Sequence, residues 1–160
     1  GRVQMKKLPS FIEARKKNWD YLRQNLEQFS KFFEFSLPTH AIDWTQDGFT
    51  WDSSGCRTEC SWFGFMLRVK SSAPFSSSEL AKYLDEKNVG NRMLFGGNLI
   101  RQPVMVQLHK DNPKAFRIVG NLDGADQLMK ESLFLGTYPG LTLNMLDYEI
   151  DQISKFCKLY

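Results

Sequence analysis

One run of thirteen residues, Asn91-Arg92-Met93-Leu94-Phe95-Gly96-Gly97-Asn98-Leu99-Ile100-Arg101-Gln102-Pro103, holds the residue types that recognition of a polar ligand needs. Adjacent Gly96 and Gly97 let the backbone take positive φ and let another group come close. Asn98 offers a donor and an acceptor, suited to sugar hydroxyls or a carbonyl. Arg92 or Arg101 has the planar fork that takes a phosphate through two parallel hydrogen bonds. Paired glycines also serve as plain turn glycines, and on residue chemistry alone both readings stay open.

No other segment has the makings of a site. The chain has no G-x-S-x-G, no Walker loop, no G-x-G-x-x-G and no H-E-x-x-H. Its acids are scattered over helix faces, without a paired acid and base. His109, between Leu108 and Lys110, reads as an exposed loop residue, and Trp62 and Tyr138 read as core. Cys56 and Cys60 are spaced as half of a zinc site, but no second pair accompanies them and the histidines are only His40 and His109. Three cysteines, an odd number, argue against a disulfide framework, so no metal is expected and the thiols are read as unrelated.

The elements that must position the glycine turn are legible as periodic patterns. At 42% hydrophobic residues with 13 Phe, 160 residues suffice for a real core, which excludes a disordered chain. No apolar run approaches the roughly 20 residues that span a bilayer. The first residues lack the apolar core of a secretory signal, so a cytoplasmic location is expected. The first 31 residues carry a charge of +5 and the remainder −2. That imbalance suits the solvated face of an amphipathic helix, or attraction to the phosphates of a nucleic acid or nucleotide.

Ser10 with Glu13 predicts a capping box behind Pro9, with a kink or a new start there. Ile12, Trp19, Leu22, Leu26 and Phe29 then draw one apolar stripe, with Lys16, Lys17, Arg23 and Lys31 largely off it. The helical pattern is already running at Val3, so Gly1 reads as a truncation point. Residues 32–35 predict a short strand, 39–59 a long loop, and 61–69 a buried central strand. Ser76 with Glu79 predicts a second capping box, ahead of an inner face of Leu80, Tyr83 and Leu84. Residues 104–108 suggest a brief strand or helical turn, and 109–114 a polar turn. Asp123 caps a third helix to Glu131, a strand follows over 133–138, and Thr142 caps a last helix through Leu143, Leu146, Ile150 and Ile153. The expected fold class is α+β, a small mostly antiparallel sheet covered by helices and preceded by a long helix. Residues 1–160 read as a single small domain, with 1–31 a helical lead-in and 32–160 an α/β sandwich.

Five blocks, in order, resemble the C-terminal part of the DegT/DnrJ/EryC1/StrS sugar aminotransferase superfamily. They are Lys7 to Arg15, Ser61-Trp62-Phe63-Gly64-Phe65, Ala73-Pro74-Phe75, Leu94 to Pro103, and Gly136-Thr137-Tyr138-Pro139-Gly140-Leu141. The likeness is nearest to the branch of nucleotide-diphospho-4-keto-6-deoxyhexose 3-dehydrases that serve lipopolysaccharide dideoxysugar synthesis. It implies the small domain of the aspartate-aminotransferase fold, closing over a nucleotide-linked 4-keto-6-deoxy sugar. It implies pyridoxamine or pyridoxal phosphate in the full-length protein, held by an upstream cofactor domain, and a homodimer. Some members add an iron–sulfur cluster and a flavin iron–sulfur reductase as partner. No catalytic residue carries over to this chain, and the fragment alone is expected to be inactive.

The residues that do carry over are Arg92, Phe95, Gly97, Asn98, Arg101 and Gln102, at the substrate mouth. Asn98 and Arg101 would reach the nucleotide sugar, with Phe95 or Gln102 shaping the pocket. The stretch from Asp43 to Glu59 is longer than the family pattern, and Val104-Met105-Val106 stands where an aromatic is expected. The alternatives are a sister aminotransferase, distinguished by an upstream lysine in place of histidine, and a nucleic-acid-binding module through the basic helix.

Overall fold

Strand residues alternate between the two faces of a sheet, and the central strands of this fold follow that rule closely. The computed structural model describes residues 1–160. In β4 (Gly64–Val69), Phe65, Leu67 and Val69 are buried on one face. In β6 (Ser132–Gly136), Leu133 and Leu135 are buried. The two strands pair antiparallel with Leu67 opposite Leu133 and Phe65 opposite Leu135, so four large side chains meet on one face. β1 (Phe33–Phe35) adds to the outer edge of β4, and β5 (Asn91–Met93) to the outer edge of β6. The sheet order is β1-β4-β6-β5 with every pair antiparallel.

The apolar face is covered by three helices. α1 (Arg2–Leu26) contributes Trp19, Leu22 and Leu26, α2 (Ser77–Glu86) contributes Leu80 and Leu84, and α5 (Leu143–Cys157) contributes Leu146, Ile153 and Phe156. Truncating a buried leucine of this set to alanine costs about 2–5 kcal/mol, because the cavity left behind closes only in part. The opposite face carries Met66, Arg68 and Phe134, and receives the glycine turn and α4 (Asp123–Glu131). There Phe95 stacks over Phe134, and Arg68 donates to Glu131 at 2.9 Å and to Glu34 at 3.1 Å.

The α+β architecture is the one expected, and several local expectations need correction. α1 runs unbroken through Pro9, and the Ser10 capping box does not form. The turn before Pro9 is already helical, so the Ser10 N–H region is no helix start; its hydroxyl donates to Lys7 O at 2.8 Å instead. Arg23 does not lie off the apolar stripe: its guanidinium sits over Phe35 at 4.3 Å and Trp44 at 4.8 Å. The long loop contains a hairpin, β2 (Ala41–Thr45) and β3 (Gly48–Trp51), paired antiparallel. Its turn is Gln46-Asp47 before Gly48 at φ 118, an Asp-Gly signature that the polar composition of the stretch obscures.

Residues 103–111 form α3 (Pro103–Asp111) with proline in its first turn, which absorbs both the brief strand or turn and the start of the polar turn. His109 is therefore a helix residue, although exposed. Leu122, not Asp123, precedes α4 as its cap residue. Tyr138 is 66% exposed and is not core, and Leu143 also faces out. The Ser76–Glu79 capping box forms as expected, as does the Thr142 cap. α2 closes in a Schellman arrangement, with Asn88 at φ 58, Asn88 N–H to Asp85 O and Val89 N–H to Leu84 O.

Candidate functional site

Two positive-φ residues, Phe95 at 36° and Gly97 at 55°, fold the glycine segment back against α4. At Gly97 a Cβ would lie 2.3 Å from Met129 Cγ, so glycine is needed both for the backbone conformation and for the close approach. Asn98 is only 3% exposed. Its Oδ1 accepts from Ile100 N–H at 3.3 Å, which caps a single 3₁₀ turn over Leu99–Arg101. Its Nδ2 donates to Asp126 Oδ1 at 2.8 Å. Arg101 forks onto the same carboxylate, Nε to Oδ1 at 3.1 Å and Nη2 to Oδ2 at 2.8 Å. Gln102 Nε2 closes the loop by donating to Gly96 O at 2.6 Å.

Asn98 and Arg101 are thus brought together by Asp126, a residue of α4 that no spacing in the sequence announces. Hydrogen bonds from Arg101 first and Asn98 second stabilise its ionised form, which pulls its pKa down to about 2. Phe95 is 75% exposed and forms a small aromatic surface with Phe63 and Phe134, at ring separations of 5.9 and 5.4 Å. Arg92 is not part of this clamp. It stands exposed on β5, with Nη1 donating to Asn91 O at 3.1 Å, beside a hollow of about 220 Å³ lined by Gly90, Phe134 and Gly136.

The arrangement is a rigid turn that presents Phe95, the outer edge of Arg101 and the neighbouring Arg92 on the face of the sheet opposite the main core. The N–H groups of Gly97, Ile100, Arg101 and Gln102 are all engaged within the turn. They therefore do not converge on a phosphate-sized anion.

A family model described as the DegT/DnrJ/EryC1/StrS aminotransferase family matches residues 1–154. The lipopolysaccharide biosynthesis protein RfbH of Salmonella typhimurium is 34% identical over 98% of this chain and 31% of its own length. A GDP-4-keto-6-deoxy-D-mannose 3-dehydratase of Yersinia pseudotuberculosis is 31% identical over 86% of this chain and 29% of its own length. The fold matches that of the Escherichia coli GDP-4-keto-6-deoxy-D-mannose-3-dehydratase with bound hydrated PLP. That match has a TM-score of 0.73 at 24% identity, over 95% of this chain and 33% of the other. It also matches an aminotransferase from Psychrobacter cryohalolentis, with a TM-score of 0.71 at 17% identity over 98% and 36%. The chain spans about a third of the length of the relatives it matches. With a family match over nearly its whole length, the chain belongs to the DegT/DnrJ/EryC1/StrS aminotransferase family.

Proposed function

We propose that this chain is the substrate-closing part of a nucleotide-sugar 3-dehydrase, which removes the C3 hydroxyl of a nucleotide-linked 4-keto-6-deoxy sugar. The observation that carries the reading is 31–34% identity along 86–98% of the chain to RfbH and to two proteins named as 3-dehydratases. The turn supports it, because Asp126 fixes Asn98 and Arg101 where a loop bordering a substrate must be rigid. In this role Asn98 shapes the turn, while Arg101 and Arg92 face the sugar phosphates, Phe95 and Gln102 border the pocket, and Gly97 permits the close packing.

The N–H groups of Gly97, Ile100, Arg101 and Gln102 are engaged within the turn and are not offered to a cofactor phosphate. The cofactor is assigned to the two thirds of the relatives that the chain does not span, and with it any iron–sulfur cluster and flavin iron–sulfur reductase partner. A homodimer acting in the cytoplasm completes the proposal.

The test is turnover by the full-length protein, supplied with pyridoxamine phosphate, a reductant and CDP- or GDP-4-keto-6-deoxyhexose. Loss of the C3 hydroxyl is the expected product by mass spectrometry. An intact hydroxyl, with an amino group appearing at C4 when glutamate is supplied, overturns it. That outcome establishes the second reading, a sugar aminotransferase, in keeping with the description of the family whose model the chain matches.

A further inference from the structure

A hollow of about 330 Å³ opens between the first turns of α5, the turn from α2 into β5 and the end of β6, and shares no residue with the glycine turn. Its volume falls in the range of small-molecule sites, roughly 300–1,000 Å³. Val89, Leu141 and Met145 give it apolar walls. Gly90 and Gly136 leave it room, with nothing within 4 Å of where a Cβ would stand. Glu149 lines it while only 7% exposed, and its carboxyl has no hydrogen-bond partner. Neither carboxyl oxygen is sealed off, so the group opens onto the hollow.

A carboxylate taken out of water needs a cation or several donors, and without them it keeps its proton. The chain brings Glu149 no ionic partner. Tyr148, the other ionisable group lining the hollow, spends its hydroxyl on Lys87 O at 3.0 Å. The ammonium of Lys87 itself lies over the Tyr83 ring, 5.5 Å from its centre. The turn from α2 and the end of β6 otherwise bring Asn88, Val89, Gly90 and Gly136, none of them charged. Arg92 lines only the adjoining hollow, which shares Gly90 and Gly136. The cavity thus joins a buried, unpaired acid to an apolar wall.

That combination selects its ligand. Calcium and magnesium ions ask for about six or more oxygen ligands, which one carboxylate among apolar side chains does not supply. An anion would be repelled. An alkylammonium group meets both halves, with a charged head that only donates and a stem of methylenes that packs on apolar surface. We infer that this hollow binds an alkylammonium group, its head on the Glu149 carboxylate and its stem along Val89, Leu141 and Met145. A lysine side chain from elsewhere in the full-length protein and a small free amine both carry that group. The inference does not rest on the dehydrase reading.

The chain contains its own core cluster of 19 buried residues, so binding can be read on the purified chain by NMR. The probes are n-butylammonium chloride and 1-butanol, which share a stem and differ in the charged head, titrated at pH 8.5 and constant ionic strength. The amide signals of Gly90 and Gly136 report the hollow. They are expected to shift saturably with n-butylammonium, at concentrations about tenfold or more below 1-butanol. Glu149→Gln keeps the shape and should erase that preference, the two probes then binding alike. Burial holds the Glu149 pKa at about 8, so lowering the pH to 6 protonates it. The n-butylammonium affinity should then fall about tenfold or more while that of 1-butanol holds, a readout that needs no variant. The inference is overturned by the absence of a saturable shift, by equal affinity for the two probes, or by an n-butylammonium affinity indifferent to pH. The full-length protein separates the two sources. A resident lysine leaves its thermal midpoint unmoved by n-butylammonium, whereas a site for a free amine raises it. Only binding is read, so none of these outcomes bears on whether the full-length protein dehydrates a sugar.

Discussion

Gly97 shows how a single residue type sets the geometry of the turn. A side chain at φ 55 is disfavoured on local sterics, and here it would also press on Met129. Gly97→Ala should therefore lower stability by about 1–3 kcal/mol, read as a shift in urea midpoint at unchanged m-value. Asp126 acts at the same scale by charge. Its pKa is depressed from 3.8 to about 2, so its contribution is fully present above about pH 4 and fades as pH falls through 2. Asp126→Asn keeps the size and removes the charge that holds Arg101. In the full-length protein it should raise KM for the nucleotide sugar several-fold with little change in thermal midpoint, because the carboxylate is solvent-accessible and its pairs there are individually weak. An unchanged KM would mean that the clamp does not organise the substrate face. The glycines and the polar residues of the turn are legible in the sequence because they are local. Asp126 is not, because its partners lie 25 and 28 residues away and only the packing of α4 brings them together.

Elements form where local chemistry and tertiary packing agree, and the capping boxes separate the two. Ser76 and Glu79 reciprocate, Glu79 N–H to Ser76 Oγ at 3.2 Å and Ser76 N–H to Glu79 at 2.7 Å, because the chain arrives extended from Phe75, which is buried in the core. Ser76→Ala should cost about 1 kcal/mol, measurable by equilibrium unfolding. Ser10 and Glu13 have the same spacing but no extended approach, so the same residues make no cap. The pattern names a possible start, and the preceding backbone decides. The hairpin is the converse case. Its Asp47-Gly48 turn and alternating Trp44, Phe49 and Trp51 are a strand signal, diluted by the Ser, Thr, Asp and Gly that surround it. The central strand could be read from its apolar run, but it begins at Gly64 and not at Ser61: Phe63 is 66% exposed, Phe65, Leu67 and Val69 are buried, and the register with β6 then follows from which face must be covered.

The stability of the whole molecule is coupled to pH through one side chain far from the turn. Glu149, on α5, is 7% exposed and accepts no hydrogen bond, in a hollow bordered by Val89, Gly90, Leu141, Met145 and Tyr148. Burial alone pushes its pKa up from 4.5 to about 8. Near pH 7 the folded chain therefore keeps this proton, whereas the unfolded chain has lost it. Where the folded state binds more protons than the unfolded one, stability falls as pH rises. The favourable contribution is thus complete below about pH 4.5, declines from there, and is gone as pH passes 8. The span corresponds to about 5 kcal/mol at most. That is a large share of a small domain's stability, typically about 5–15 kcal/mol. α5 packs against both α1 and α2, so the loss is felt by the common core and not by a single helix end. Glu149→Gln replaces the carboxyl by a neutral group of the same shape and cannot ionise. Its urea midpoint should stay flat from pH 5 to pH 9 and exceed that of the parent chain at the alkaline end. The parent midpoint should fall steadily over the same range; one that holds level up to pH 8 would show that Glu149 is ionised in the folded state.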